Sequence, residues 1–203
     1  MKSDPLRRPG MTRRAATIAV FACVALGTFA QPVCAGEADR TSVTLLGTGG
    51  GPFGRAQRAG IASLVEYGGE RLLVDAGEGV VRQLALAGVD ASTLSTILLT
   101  HLHDDHTAGL PALLSFSWTR GGRPVLLVGP PRTQALLDGV LAFMEPNVEI
   151  RSAERPYGRL PRDLYSAREL QPADVWSSGA VRVAVLENTH YHFRPDSAAR
   201  RNR

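Results

Sequence analysis

His101-Leu102-His103-Asp104-Asp105-His106 places three of the chain's five histidines and two carboxylates within six residues. Imidazole nitrogens and carboxylate oxygens at this density form the donor set of a zinc-type site, with room for two metal positions. In an extended chain, residues i and i+2 project to the same side, so His101 and His103 can converge on one cation. Asp105 and His106 follow where the chain should turn into a helix, and they can face a second cation close by. Two neighbouring divalent ions repel, and a carboxylate among the ligands offsets part of that charge. Asp104, between the donors, is expected to face water.

These residues need a rigid support. Residues 94–100 are short, apolar and partly β-branched, which predicts a buried strand. Residues 107–116 read as a helix start, so the histidines fall on a loop at the C-terminal end of a strand, where α/β sheets place their chemistry. Residues 42–47 predict a strand, and 47–52 a glycine-rich turn. Residues 61–67 and 71–75 predict a hairpin across Gly68-Gly69. A helix is predicted over 78–87, ended by Gly88, with Glu78 as a carboxylate at its positive end. A strand over 124–129 and a helix over 132–143 follow. Residues 151–178, rich in Arg, Pro and Ser, read as loop. An alternating strand over 181–187 leads into Asn188-Thr189-His190-Tyr191-His192. Strands first, then strands alternating with helices, predict a layered α/β fold. The glycine turn is not a phosphate loop. No Lys-Ser/Thr follows it, and Pro52 stands where a third glycine would be required. Close backbone packing beneath the site is the expected use.

The formal charge of +4 resides in residues 1–35, where Lys2, Arg7, Arg8, Arg13 and Arg14 face only Asp4. The remaining residues balance to zero, which argues against a basic nucleic-acid binder, so nucleic acid is not an expected partner. Residues 1–35 read as a bacterial secretory signal. Arg13-Arg14 closes a positive segment, and residues 15–30 are uncharged but too short for a membrane span. Val33-Cys34-Ala35 offers a small-x-small cleavage site. Export by the general or the twin-arginine route both fit. Cys23 and Cys34 both lie in this leader, so the mature chain has neither a disulfide nor a thiolate ligand. The expectation is a periplasmic or secreted protein, not stably inserted in a membrane after cleavage. Its domain would span 36–193, followed by a polar, disordered tail over 194–203.

Four segments carry a resemblance: residues 46–52 (Leu-Gly-Thr-Gly-Gly-Gly-Pro), 73–79 (Leu-Val-Asp-Ala-Gly-Glu-Gly), 100–106 (Thr-His-Leu-His-Asp-Asp-His) and 187–190 (Glu-Asn-Thr-His). In this order they resemble the metallo-β-lactamase-fold hydrolases, and within them the ribonuclease Z-like branch. The match runs over residues 42–192. The resemblance implies an αβ/βα sandwich with two zinc ions at the sheet edges. His101, His103 and His190 would hold the first, Asp105 and His106 the second. It also implies hydrolysis by metal-bound hydroxide, with Asp105 orienting or deprotonating the attacking water. Asp75 would stand behind a ligand histidine and orient it through its free ring nitrogen. His190 also lies at a predicted strand end, whereas His192 reads as structural or solvent-facing. Phosphodiesters and sulfate esters are favoured over β-lactams, with other esters and lactones open. Export argues against transfer-RNA maturation. A small ester-type substrate is therefore expected, with a ribonuclease Z-type phosphodiesterase as the alternative.

The sequence departs from the resemblance beyond His192. A further strand, an aspartate bridging both metals and a final histidine are implied, and residues 193–203 do not supply them. The second sheet is then expected to be incomplete and the site to hold one zinc or none. A truncated hydrolase and a non-catalytic metal-binding remnant both fit these residues.

Overall fold

Strands Ser42–Gly47 (β1), Ala62–Tyr67 (β2), Glu70–Val74 (β3), Thr96–Leu98 (β4), Val125–Gly129 (β5) and Tyr165–Glu169 (β6) lie side by side in chain order. They form one sheet of the computed structural model, which describes residues 40–187. The first three strands pair antiparallel and the last three join in parallel. The β2–β3 turn is made by Gly68 and Gly69 at φ 58° and 81°. Two successive positive φ angles suit the right-handed twist of a tight hairpin, and glycine adopts them without steric cost.

Parallel strands need long crossovers. These are supplied by helices Val80–Leu86 (α1), Asp104–Thr107 (α2), Leu110–Thr119 (α3) and Thr133–Glu154 (α4), with a short helix, Pro161–Leu164 (α5), before β6. Their apolar stripes meet one face of the sheet. Leu64, Leu73, Ile97 and Leu127 from the strands pack there with Leu84, Leu114, Trp118, Leu137 and Met144 from the helices. On the opposite face Leu72 and Val128 pack with Leu170 and Trp176. Strands Val175–Ser178 (β7) and Val181–Ala184 (β8) form a separate antiparallel hairpin whose residues cover this smaller cluster. Val43 and Leu45, pointing away from the helical core on β1, remain exposed.

The layered α/β expectation therefore holds, with three local corrections. Residues 151–178 are not loop. They contain the end of α4, all of α5, β6 and β7. β6 pairs in register with β5 from Val125↔Tyr165 to Gly129↔Glu169, and tertiary pairing of this kind overrides a polar, charged local sequence. Helix α4 passes through Pro146 and runs to Glu154, because Met144 and Val148 continue its core-facing stripe. Glu78 is not in the first turn of α1. Gly79 is the N-cap, and Glu78 stands exposed just before it.

Candidate metal centre

The parallel strands deliver the chemistry to one end of the sheet. β3 ends at Val74 and is followed by Asp75; β4 ends at Leu98 and is followed, after Leu99, by Thr100 and His101. The backbone amide of Asp75 donates to the Leu98 carbonyl (2.7 Å), which fixes the two strand ends against each other. His103 remains extended and serves as N-cap of α2, so His101 and His103 project from one side of the loop as the alternation predicts. Asp104 begins the helix, faces water, and accepts a 2.9 Å bond from the Asp105 amide.

Three loops close on this turn with almost no space between backbones. The Ile61 amide donates to the Asp105 carbonyl (2.9 Å), the Ala76 amide to the His106 carbonyl (2.7 Å), and the Gly77 amide to the Ile61 carbonyl (2.9 Å). A side chain on Gly77 or Gly60 would strike neighbouring backbone, including the Asp105 carbonyl. Gly47 and Gly49 abut the Ala59 carbonyl in the same way. This is the close packing expected of the glycine turn.

The donor atoms of His101, His103 and Asp105 all lie within 4.8 Å of one another. Tetrahedral zinc with bonds of about 2.1 Å wants ligand atoms about 3.4 Å apart, so small side-chain rotations bring these donors to a cation. Two imidazoles and a carboxylate suit zinc or a similar divalent ion. The donor set fits the metal that the resemblance implies. The His106 ring lies against the His101 ring, centroids 4.0 Å apart, and its Nε2 is 3.6 Å from Asp105 Oδ2. Asp105 thus lies within reach of both the His101–His103 pair and His106. His190 and His192 lie outside the described residues.

Asp105 has its own support. Its Oδ2 accepts a 2.7 Å bond from the Gly51 amide at the tip of the glycine turn. Burial pushes its carboxyl pKa up. The Gly51 bond and the neighbouring His106 outweigh that, and the net value lies below the ordinary aspartate value. Asp75 is buried at 3% exposure, with φ 60°, a left-handed conformation that aspartate tolerates better than most residues. Its Oδ2 accepts from His106 Nδ1 (2.8 Å), which leaves His106 Nε2 turned toward Asp105. Asp75 therefore sits behind His106, against its Nδ1.

Sequence reasoning missed the wall of the site. A cavity of about 170 Å³ adjoins Asp105 and Asp104, lined by the glycine turn, Phe53, Arg55, Arg58 and Glu78. Arg55 is folded back, donating to the Gly50 carbonyl at 3.3–3.4 Å, and Phe53 is 79% exposed. The available signal was the pair of arginines directly after the turn. It was hidden when charge was summed over all residues beyond 35.

The family model described as the metallo-beta-lactamase superfamily matches residues 57–186. Ribonuclease Z of Mycobacterium sp. (strain KMS) is 38% identical over 156 residues, covering 75% of this chain and 54% of that protein. Ribonuclease Z of Mycobacterium marinum is 36% identical over 157 residues, covering 75% and 56%. Among solved structures, the metallo-beta-lactamase fold protein YhfI from Bacillus subtilis superposes with a TM-score of 0.50 at 24% identity, covering 71% of this chain and 51% of that one. The chain thus spans about half the length of the curated relatives it matches. Their name overturns one expectation. A small ester-type substrate, with nucleic acid not expected as a partner, does not stand beside relatives named as ribonucleases. The physical error was to read partner preference from net charge, when recognition depends on where charges sit.

Proposed function

The chain belongs to the metallo-beta-lactamase superfamily, and on that premise we propose that it is a zinc-dependent phosphodiesterase acting on RNA. The observation that carries the proposal is the convergence of His101, His103 and Asp105 beside a cavity walled by two arginines. Ribonuclease Z relatives at 36–38% identity support the choice of phosphodiester.

In this reading His101, His103, Asp105 and His106 hold the metal, with His190 as a further ligand. Bound zinc would supply Lewis acidity toward the scissile phosphate. The protein's own groups do the rest. Asp105, anchored through Oδ2 by the Gly51 amide, orients the attacking water as the catalytic carboxylate. Arg55 and Arg58 neutralise phosphates flanking the scissile one, and Arg is suited to bidentate phosphate contacts. Exposed Phe53 offers a ring on which an unpaired base can stack, a contact worth about 1–3 kcal/mol per base. The leader over residues 1–35 supports export as part of the proposal, with cleavage after Ala35 checked by N-terminal sequencing of the exported protein.

The test uses the full chain, stripped of metal and reloaded with zinc, against a single-stranded RNA oligonucleotide and bis(p-nitrophenyl) phosphate. Zinc-dependent cleavage of both is expected, with loss of zinc and turnover in His101→Ala. Arg55→Ala combined with Arg58→Ala should raise KM for RNA more than for the small diester and flatten its salt dependence. Zinc held without turnover would leave a metal-binding protein rather than an enzyme. Full zinc content in His101→Ala would overturn the site itself.

A further inference from the structure

Resting on this reading of the metal centre, we propose that Thr100 is a positioning residue. Its hydroxyl relays the Asp75 carboxylate to His101, so that one buried acid orients two ligand histidines instead of one.

The protons available around Thr100 fix the direction of each bond. Thr100 Oγ1 lies 3.0 and 2.9 Å from the two Asp75 oxygens, 3.1 Å from His101 Nδ1 and 3.4 Å from His106 Nδ1. A hydroxyl has one proton to give and lone pairs with which to accept. The Asp75 carboxylate has none to give, so the hydroxyl proton goes to it. Oγ1 is then an acceptor toward His101, and the proton between them must sit on His101 Nδ1. That leaves the lone pair of His101 on Nε2. On the other side, His106 Nδ1 donates directly to Asp75 Oδ2 at 2.8 Å, which places its lone pair on Nε2 as well. Both rings are thereby set to the same tautomer, one by direct contact and one through Thr100.

The relay is held in place from both ends. The Thr100 amide donates to Asp75 Oδ1 at 2.8 Å, so backbone and hydroxyl grip the same carboxylate. Asp75 is nearly inaccessible to solvent and is itself pinned by its amide to the Leu98 carbonyl. Threonine is stiff at χ1, which keeps the hydroxyl aimed at the carboxylate. Ligand histidines whose distal nitrogen is anchored in this way typically lose 10–100-fold in metal affinity when the anchor is removed.

Thr100→Val keeps the shape and the backbone bond but removes the hydroxyl, and Thr100→Ser restores it. Histidine ¹⁵N NMR of the metal-free full chain should show His101 and His106 both protonated on Nδ1 in the parent. In Thr100→Val, His101 should lose that preference while His106 keeps it; in Thr100→Ser both should keep it. Zinc affinity by chelator competition should fall about 10–100-fold in Thr100→Val and recover to within about threefold in Thr100→Ser. An unchanged His101 tautomer in Thr100→Val, or a loss that Thr100→Ser does not restore, would overturn the relay. If the parent binds no zinc, the metal reading fails, and the tautomer measurement still decides the relay alone.

Discussion

Gly77 is the point at which the fold presses hardest on the site, and Gly77→Ala measures that pressure. Gly77 is not among the positive-φ residues, so no left-handed backbone strain adds to the steric effect of alanine there. A Cβ there would meet the Asp105 carbonyl oxygen, Gly60 C and Ile61 N, the latter two at 2.6 Å. All three are backbone atoms, so no rotamer change relieves the contact. The loops must separate by about 1 Å to restore ordinary contact, and overpacking of this kind costs about 1–3 kcal/mol. The same separation stretches the Ile61–Asp105 and Gly77–Ile61 bonds, both 2.9 Å, each worth about 1 kcal/mol net. The sum is about 3–5 kcal/mol, a large part of the stability of an ordinary domain. Gly139→Ala is the control. Gly139 lies inside α4 with nothing within 4 Å of its added Cβ, so the same change should stabilise by about 1 kcal/mol. Urea unfolding of the full chain with chelator present reads both. With m of about 2 kcal/mol/M, the midpoint should fall by about 2 M in Gly77→Ala and rise by about 0.5 M in Gly139→Ala. A Gly77→Ala midpoint at or above the parent's would refute the account of three backbones in contact.

Three further outcomes are expected. Pro146→Ala should stabilise by about 1–2 kcal/mol in the same unfolding assay, because proline inside α4 costs up to about 3 kcal/mol and part of that is offset by its stiffer unfolded chain. The Ser92 amide and the Arg120 guanidinium hold the Asp90 carboxyl down to about 2. Its stabilising contribution is therefore intact above about pH 4 and lost as pH falls toward 2. Asp90→Asn should flatten thermal stability against pH across that window, and an unchanged slope would remove the assigned cause. Burial pushes the Tyr165 phenol up to about 12, and its hydroxyl donates to the Leu114 carbonyl at 2.7 Å. The proton is held more tightly in the folded state, so this contribution is present below pH 10 and lost as pH rises toward 12. Tyr165→Phe should cost about 1 kcal/mol at neutral pH and abolish that alkaline loss, as read by melting temperature.

What could be read in the sequence, and what could not, divides by the distance over which residues act. The strands predicted over 42–47, 61–67 and 71–75, the Gly68-Gly69 turn and the His101–His103 spacing rest on local signals, and each led to the right element. β6 was invisible because its partner is β5, some forty residues away, and only that pairing makes a strand of Tyr165–Glu169. The helix predicted over 132–143 was too short because local propensity was weighed without the stripe of Met144 and Val148 that holds α4 on the core. The site divides in the same way. Its donors are contiguous and therefore legible, but their orientation comes from far along the chain. The Gly51 amide that holds Asp105 is 54 residues away, and the Asp75 carboxylate is 25 residues from Thr100 and 31 from His106. A donor cluster states that a cation can bind. The distant glycine and aspartate hold Asp105 and His106 where they are, and that is why the glycines that let those loops meet bear on the site as the histidines do.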